Sequence, residues 1–324
     1  MILLALRKAR VQGDEKKEEK WDCNKYEKLL ARGVIEAYTL FGQYLPNFVY
    51  LNSPWAEKKI KEFKSRESVN ENQWQSFMDG YLFGSRVYRD LYRLMRDHYL
   101  RAVETDFKSD HAEERLIQHI TIGYLRGYES LDGQESLFKK IIDNWQYSQL
   151  EEIVSFFWCQ RDYVAKQAKD GEKDKDSERV RKQILDFWEW SYNQREEIQK
   201  KLGENYPKFL SDLTQLTIFL ELIDNKNTEW LLLSAPYVNV NYHTAFFIEY
   251  LDELTNEGSV NFVSKIFLKM LSGTIPDYPQ DKIISIVEKI YQLGSKDEAD
   301  QICNLYGSSG RDFLKSLWET WAKK

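Results

Sequence analysis

The sequence of 324 residues predicts an all-α fold, an irregular HEAT-like array of stacked helix pairs (an α-solenoid), with length enough for two helical lobes. Apolar residues recur at three- and four-residue steps, for example at Ile283, Ile286, Val287 and Ile290, which is the spacing of one helix face. The six prolines all lie at the edges of such segments. No stretch shows the sustained alternation of apolar and polar residues that is typical of a strand.

Capping residues indicate where individual helices begin and end. A helix start is predicted where a capping oxygen is followed, three residues later, by an acid or amide that caps it in return. This pairing occurs at Asn70 and Gln73, Asp110 and Glu113, Asp132 and Glu135, Ser148 and Glu151, and Ser295 and Glu298. The glycines predicted to end helices are Gly258, Gly273, Gly294 and Gly307. In the C-terminal third, these signals predict helices over 241–256, 259–271, 280–293, 295–306 and 309–322.

Short helices joined by short loops predict a stacked arrangement, because no single helix can bury its apolar face alone. The charged segment 169–182 (KDGEKDKDSERVRK) interrupts this pattern. One interpretation is a boundary between an N-terminal helical lobe, residues 1–170 with a long central helix, and a C-terminal helical-repeat lobe, residues 171–324. The other interpretation is the exposed tip of a helical hairpin. Aromatic residues, 15% of the chain, are predicted chiefly to fill gaps between the helices.

Composition narrows the class of protein. The net charge of -6 argues against a generic nucleic-acid binder, which is usually basic as a whole. The three cysteines, Cys23, Cys159 and Cys303, are too far apart for a disulfide framework or a zinc site, which favours a reducing, cytoplasmic setting. No apolar run reaches the length of a membrane span, so no membrane is expected as a partner. The opening residues 1–6 are typical either of a frayed first helix or of a helix whose beginning belongs to a longer protein.

The clearest candidate binding surface lies in the segment 80–103. Its arginines step by three, four and three residues, so they are predicted to follow one stripe of a helix beside an aromatic stripe. The candidate binding residues are Arg86, Arg89, Arg93, Arg96, Tyr88 and Tyr92. Such a surface could grip phosphate, single-stranded nucleic acid or an acidic peptide. The alternative is that Arg86 pairs with Asp90 and Arg93 with Asp97, which would leave little free charge. Gly80 is predicted to allow close helix packing.

The same segment contains one enzymatic suggestion. Arg93 and His98 are separated by four residues, and this spacing resembles the Arg-x4–6-His motif of HEPN-type ribonucleases, which are also all-helical. The resemblance implies acid–base chemistry by His98 on a 2′-hydroxyl, with Arg93 steadying the phosphate, in a site completed by a dimer. The alternative is a chance spacing of two common residue types.

Motifs for other chemistries are absent from the sequence. It contains no Gly-x4-Gly-Lys-[Ser/Thr] run and no Gly-x-Ser-x-Gly run. The histidines show no His-Glu-x-x-His spacing, and His111 with Glu114 would supply only two metal ligands. The sequence therefore predicts no enzymatic activity, no cofactor and no metal.

Two stretches, residues 74–103 and 240–318, resemble the C-terminal helical regions of large bacterial anti-phage defence proteins. The blocks 241–247 (NYHTAFF) and 298–304 (EADQICN) carry most of this resemblance. In such proteins a SIR2-like or nuclease effector is joined to a STAND-type ATPase and then to a helical array. The resemblance implies a sensor that recognises a ligand by shape and signals through other domains. It transfers no catalytic residue to this chain.

Three functional hypotheses follow. The first is a non-catalytic recognition module that binds a protein ligand, or other domains of a larger protein, over a concave surface. The second is a nucleic-acid-directed protein that uses the arginine stripe, with Arg93 and His98 as its ribonuclease variant. The third is a structural module that assembles with copies of itself into a homo-oligomer.

Overall fold

The computed structural model describes residues 23–65, 69–84, 86–105, 107, 110–169 and 175–322, and all regular secondary structure in these ranges is helical. The all-α class predicted from the sequence is therefore confirmed. The chain divides into two compact units, the first ending at Asp143 and the second beginning at Asn144.

The first unit consists of short and medium-length helices. They are α1 (Cys23–Ala31), α2 (Ile35–Gln43), α3 (Leu45–Leu51), α4 (Ser53–Lys64), α5 (Glu71–Gly84), α6 (Arg89–Leu94), α7 (Arg96–Val103), α8 (Asp110–Leu125) and α9 (Leu137–Ile142). The start of α5 confirms a predicted cap. The Gln73 N–H donates to Asn70 Oδ1 at 3.0 Å, and the Asn70 N–H donates to Gln73 Oε1 at 2.9 Å. Two N–H groups that the helix leaves without partners are thereby satisfied.

Helices α2 and α5 cross with their backbones in contact. A Cβ atom placed on Gly80 would lie less than 3.0 Å from the carbonyl oxygen of Thr39, and one on Gly42 would clash in the same way with the carbonyl oxygen of Phe77. The prediction that Gly80 allows close helix packing is confirmed. Because both contacts are with backbone atoms, neither can be relieved by turning a side chain.

Aromatic rings fill the core beside this crossing. Phe41 on α2 lies at ring-centroid distances of 5.0 Å from Phe48, 5.2 Å from Phe63 and 5.8 Å from Phe77. All four side chains are buried. Tilted and edge-on ring pairs of this kind pack irregular gaps between helices, as the sequence predicts for most aromatic residues of the chain.

The second unit continues the helical pattern. Its helices are α10 (Tyr147–Trp158), α11 (Arg161–Lys169), α12 (Lys175–Asn193), α13 (Arg195–Leu202), α14 (Tyr206–Leu213), α15 (Asn225–Ser234), α16 (Thr244–Leu254), α17 (Val260–Leu271), α18 (Gln280–Gln292), α19 (Lys296–Ser308) and α20 (Lys315–Ala322). Short 3₁₀ turns cover Gly203–Asn205, Thr214–Phe219 and Ala235–Tyr237.

From α15 onwards each helix packs on its second neighbour along the chain. Helix α15 contacts α17, α16 contacts α18, α17 contacts α19, and α18 contacts α20. Alternate helices therefore form two layers. Helices α16, α18 and α20 begin at Thr244, Gln280 and Lys315, a spacing of about 36 residues that lies close to the lengths of known helical repeats.

Some predicted helix ends are displaced. Gly294 ends α18 with φ of +93°, as predicted, but Gly307 lies inside α19, and the positive φ of +79° occurs at Gly310 instead. Asp132 does not start a helix. Helix α9 begins after Ser136, whose hydroxyl accepts the Lys139 N–H, because that residue offers the nearer capping oxygen.

The charged segment 169–182 does not separate the two units. Helices α11 and α12, which flank its centre, pack against each other within the second unit. The division lies at Asp143 and not at residue 170, because contacts across the hairpin hold its two arms together. Residues 170–174, the centre of the segment, lie outside the described residues.

Candidate functional site

The predicted arginine stripe does not follow one helix. Helix α5 ends at Gly84 and α6 begins at Arg89, so Arg86 lies in a non-helical connection. Val87 in this connection is buried, and its carbonyl oxygen accepts a hydrogen bond from the guanidinium of Arg126. Residues 86–88 are not helical. The Val87 side chain is buried there, and its carbonyl oxygen accepts from Arg126 and not from a helical N–H group. The prediction of a single continuous stripe is therefore wrong.

The exposed part of the predicted surface is smaller than expected. Arg86, Tyr88, Arg89 and Arg93 are exposed. Neither predicted ion pair, Arg86 with Asp90 or Arg93 with Asp97, forms within the described part of the chain; the Asp97 carboxylate instead accepts from Lys64 Nζ at 2.7 Å. The guanidinium of Arg89 lies 5.9 Å from the ring centroid of Tyr128. The guanidinium groups of Arg86, Arg89 and Arg93 thus reach solvent, and that of Arg89 lies beside Tyr128.

Two of the predicted binding residues, the buried Tyr92 and the partly exposed Arg96, bond to a buried carboxylate. The Glu129 side chain is buried, and its Oε1 accepts from Arg96 Nη1 at 2.7 Å and from the Tyr92 hydroxyl at 2.9 Å. Its Oε2 accepts the Leu137 N–H at 2.6 Å. Arg96 and Tyr92 therefore hold Glu129 against the start of α9, which is a structural role and not the predicted binding role.

His98 is also a core residue. Its Nδ1 accepts from Trp74 Nε1 at 3.0 Å, so its Nε2 carries the proton and donates to the Ile60 carbonyl oxygen at 2.8 Å. Burial lowers the pKa of His98 to about 4. With both ring nitrogens engaged in the core and Arg93 at the surface, the two residues form no shared site for RNA cleavage.

Stability is expected to fall in mild acid because two histidines are buried uncharged. Burial lowers the pKa of His98 and of His119 to about 4, from an ordinary value of 6.5. Between these values the unfolded chain binds protons that the folded chain does not. The contribution is therefore intact above pH 6.5 and is lost as pH falls toward 4, at about 1.4 kcal/mol per pH unit for each histidine.

This pH dependence can be measured by urea unfolding at pH 7 and pH 5. The variant His98→Gln should lose about 2 kcal/mol less between these pH values than the wild type, since one titrating group is gone. His111→Gln is the control, because the His111 side chain is 93% exposed. Equal pH dependence in His98→Gln and the wild type would contradict the assignment.

A polar cluster that the sequence did not predict lies in the second unit, around Asp212. This carboxylate is buried at the end of α14. Its Oδ2 accepts from the Tyr147 hydroxyl at 3.0 Å, and its Oδ1 accepts from Asn241 Nδ2 at 2.6 Å. His243 Nε2 lies 3.2 Å from the same Oδ1. Helices α10 and α14 and the connection before α16 thus meet at one carboxylate.

The cluster fixes the loop 238–243, named here the recognition loop. The Asn241 N–H donates to Ser211 Oγ at 3.1 Å, and the Ser211 hydroxyl donates to the Val238 carbonyl oxygen at 3.1 Å. The His243 N–H donates to the same carbonyl at 3.0 Å. Side-chain and backbone hydrogen bonds therefore anchor the loop on both sides of Tyr242.

Tyr242 stands at the tip of the recognition loop in an unfavourable conformation. Its φ is +62°, and its side chain is 85% exposed. The other non-glycine residue described with positive φ, Trp145, stacks on Trp190 at 5.7 Å. Within the described ranges, the Tyr242 ring packs on no other aromatic ring. The backbone conformation of Tyr242 thus costs about 1–3 kcal/mol, and it places an aromatic side chain in solvent.

Further apolar and aromatic groups surround the recognition loop. Val240 and Phe246 are 41% and 45% exposed. The Phe246 ring lies 5.9 Å from that of Trp158, and the guanidinium of Arg161 lies 3.5 Å from the same indole. Exposed aromatic and arginine side chains on a rigid support are typical of protein interfaces.

Two titratable groups of this cluster have raised pKa values. Burial raises the pKa of Glu151, and the nearby Asp212 carboxylate adds to the shift. Burial and Asp212 likewise raise the pKa of the Tyr147 hydroxyl. Within the described ranges, no group of three or more His, Cys, Asp or Glu residues is arranged to hold a metal ion. The hydrogen bonds of the cluster satisfy its own members and rigidify the loop.

No protein-family model matches the chain, and comparisons with curated proteins and with solved structures find no match either. In the described part of the chain, no helix combines the length and apolar character needed to cross a bilayer. The class that fold and site define is therefore an all-α protein with a fixed, aromatic surface loop. The loop overlaps the block 241–247, whose resemblance to bacterial defence proteins drew attention to this part of the sequence. The positive φ of Tyr242 could not be predicted, because it has no sequence signature.

Proposed function

We propose that this chain is a non-catalytic recognition module that binds a protein partner through the recognition loop and the exposed aromatic residues around it. The observation that carries the proposal is Tyr242, which is held exposed at positive φ by a buried hydrogen-bond network. Local strain persists only where surrounding structure enforces it, and it is common at ligand-binding sites. Tyrosine also loses little side-chain entropy on binding, because it has only two side-chain torsions.

Helix stacking supports the same function. The two-layer arrangement of α15 to α20 supports a helical-repeat solenoid, and its spacing of about 36 residues lies between the lengths of TPR and HEAT repeats. We therefore propose that helices α15 to α20 form a HEAT-like solenoid. Solenoids present extended surfaces on which loops between helices contact a ligand, and the recognition loop occupies such a connection, between α15 and α16.

The resemblance to bacterial defence proteins extends the proposal. The recognition loop overlaps the block 241–247, one of the two blocks that carry the resemblance. On this hypothesis the partner is a foreign or cellular trigger of an anti-phage response, and other domains of a larger protein produce the output. The partner would then bind only in infected cells.

Site-specific crosslinking tests where the partner binds. A photoreactive benzoylphenylalanine replaces Phe246 beside the loop, or Tyr278 as a control that is 69% exposed in the same unit. The chain is irradiated in lysate of its source organism, with and without phage. One protein crosslinked from position 246 and absent from position 278 is the expected result. Equal crosslinking from positions 246 and 278, or no crosslinking from either, would contradict the proposed binding surface.

Replacing Tyr242 by glycine is expected to stabilise the protein while weakening partner binding. Glycine adopts a φ of +62° without strain, so the free energy of unfolding should rise by about 1 kcal/mol after the entropy of glycine is subtracted. Loss of the exposed ring should reduce crosslinking from position 246 at least tenfold. Urea unfolding measures the first effect and band intensity the second.

The control is Tyr88→Gly, because Tyr88 is an exposed tyrosine with an ordinary φ of -95°. This variant should be slightly less stable than the wild type and should crosslink normally. A Tyr242→Gly protein that is destabilised like Tyr88→Gly would show that the loop stores no strain.

A second candidate function rests on the exposed arginines of the first unit. Arg86, Arg89 and Arg93 reach solvent beside Tyr88 without a carboxylate partner in the described part of the chain. This arrangement favours a nucleic acid or an acidic partner. Nucleic acid recovered with the chain, and released steeply as salt rises, would favour this candidate over the first.

A further inference from the structure

The first unit contains a cavity of about 430 Å³ between α2, α5 and α8. Each helix contributes two side chains one turn apart, which therefore lie on the same face. These lining residues are Thr39, Gln43, Asp79, Phe83, His111 and Arg115. The volume falls within the range of about 300–1,000 Å³ that is usual for small-molecule sites.

Two opposite charges line this cavity without pairing. Asp79 Oδ1 is buried and has no hydrogen-bond partner among the described residues. Arg115 lies on the opposite helix and donates to Gln118 Oε1 at 2.8 Å, and no ion pair links it to Asp79. Leaving a buried carboxylate oxygen unsatisfied is costly, so such an atom indicates a place that a ligand completes.

Apolar side chains form part of the remaining wall, beside the polar Thr39, Gln43 and His111. Leu82 and Ala112 are buried and line its wall. Phe83 also lines it and is 77% exposed, which is unusual for a phenylalanine. The site therefore offers one anionic group, one cationic group and an aromatic surface within a single cavity.

We propose that the cavity binds a free amino acid with an apolar side chain. Its ammonium group would donate to Asp79, its carboxylate would accept from Arg115, and its side chain would pack on Leu82 and Phe83. The ammonium group would give the Asp79 carboxylate the partner that it lacks, and the carboxylate of the same ligand would pair with the exposed Arg115, so a zwitterion uses both groups. This site is separate from the recognition loop and does not depend on the function proposed for it.

Calorimetric titration with three probes tests the proposal on the full chain. L-Phenylalanine carries both charges, 2-phenylethylamine lacks the carboxylate, and 3-phenylpropionate lacks the ammonium group. L-Phenylalanine should bind saturably and at least about tenfold more tightly than either analogue, since each charged hydrogen bond adds at least that factor.

Two variants assign each charge to its residue. Asp79→Asn should weaken L-phenylalanine and 2-phenylethylamine about tenfold and leave 3-phenylpropionate unchanged. Arg115→Gln should weaken L-phenylalanine and 3-phenylpropionate and leave the amine unchanged. Asp90→Asn, at an exposed acid that does not line the cavity, is the control and should bind all three normally.

Three results would overturn the proposal. They are no saturable binding of L-phenylalanine, equal affinity for the three probes, or an Asp79→Asn variant that loses 3-phenylpropionate as strongly as L-phenylalanine. A misfolded Asp79→Asn variant would also bind all three probes weakly, so the last result counts only for a variant that is folded. Circular dichroism of each variant separates misfolding from a specific effect.

Discussion

Replacing Gly80 by alanine is expected to destabilise the first unit by about 3 kcal/mol or more. The new methyl group would overlap the carbonyl oxygen of Thr39, a backbone atom of the facing helix α2. Relief requires the two helices to separate, and Phe41 and Phe77 would then lose the ring packing that fills the core beside the crossing. Urea unfolding followed by tryptophan fluorescence measures the loss, since Trp55 and Trp74 report on this unit.

Gly307→Ala is the matched control. Gly307 also lies in a helix, but a Cβ atom there would meet nothing within 4 Å. The higher helix propensity of alanine should therefore stabilise this variant by up to about 1 kcal/mol. A Gly80→Ala protein as stable as Gly307→Ala would mean that α2 and α5 are not in backbone contact.

Replacing Glu129 by alanine is expected to cost about 4 kcal/mol. The change leaves the Arg96 guanidinium, the Tyr92 hydroxyl and the Leu137 N–H without the carboxylate that each of them contacts. The Tyr92 hydroxyl and the Leu137 N–H are buried, and each would be left without an acceptor at about 1–3 kcal/mol apiece, while the partly exposed Arg96 would lose its counterion. The free energy of unfolding in urea at pH 7 is the measurement.

Asp97→Ala provides the comparison for Glu129→Ala. Asp97 and its partner Lys64 are each 59% exposed, so this ion pair should contribute less than about 1 kcal/mol. Similar effects of Asp97→Ala and Glu129→Ala would show that Glu129 is solvated in solution.

The fold class and the C-terminal helices could be predicted because their signals are local. Prolines, glycines and capping residues act on the backbone within a few positions, and the predicted helix 259–271 differs by one residue from the observed Val260–Leu271. The function of Gly80 was predictable for a similar reason, since a glycine within a helix implies close packing. Such features need no knowledge of distant residues.

The candidate sites depended on contacts between residues distant in sequence, so the sequence could not predict them. Helical spacing placed Arg96 on a surface, but Glu129, more than thirty residues away, draws it into an ion pair. His98 is buried because Trp74 and the Ile60 carbonyl enclose its ring. Likewise, Tyr242 is held at positive φ because the neighbouring Asn241 donates a hydrogen bond to Asp212, which lies in another helix.

The second-neighbour packing of α15 to α20 also bears on how such a protein changes over evolutionary time. Among themselves, these helices pack on partners that lie within about 36 residues of chain, so few long loops must close before this set of helices can pack. A segment built this way is modular. In the HEAT-like array proposed above, duplication or deletion of one helix pair would leave the remaining interfaces intact, so the number of helix pairs could change more readily than the way they pack.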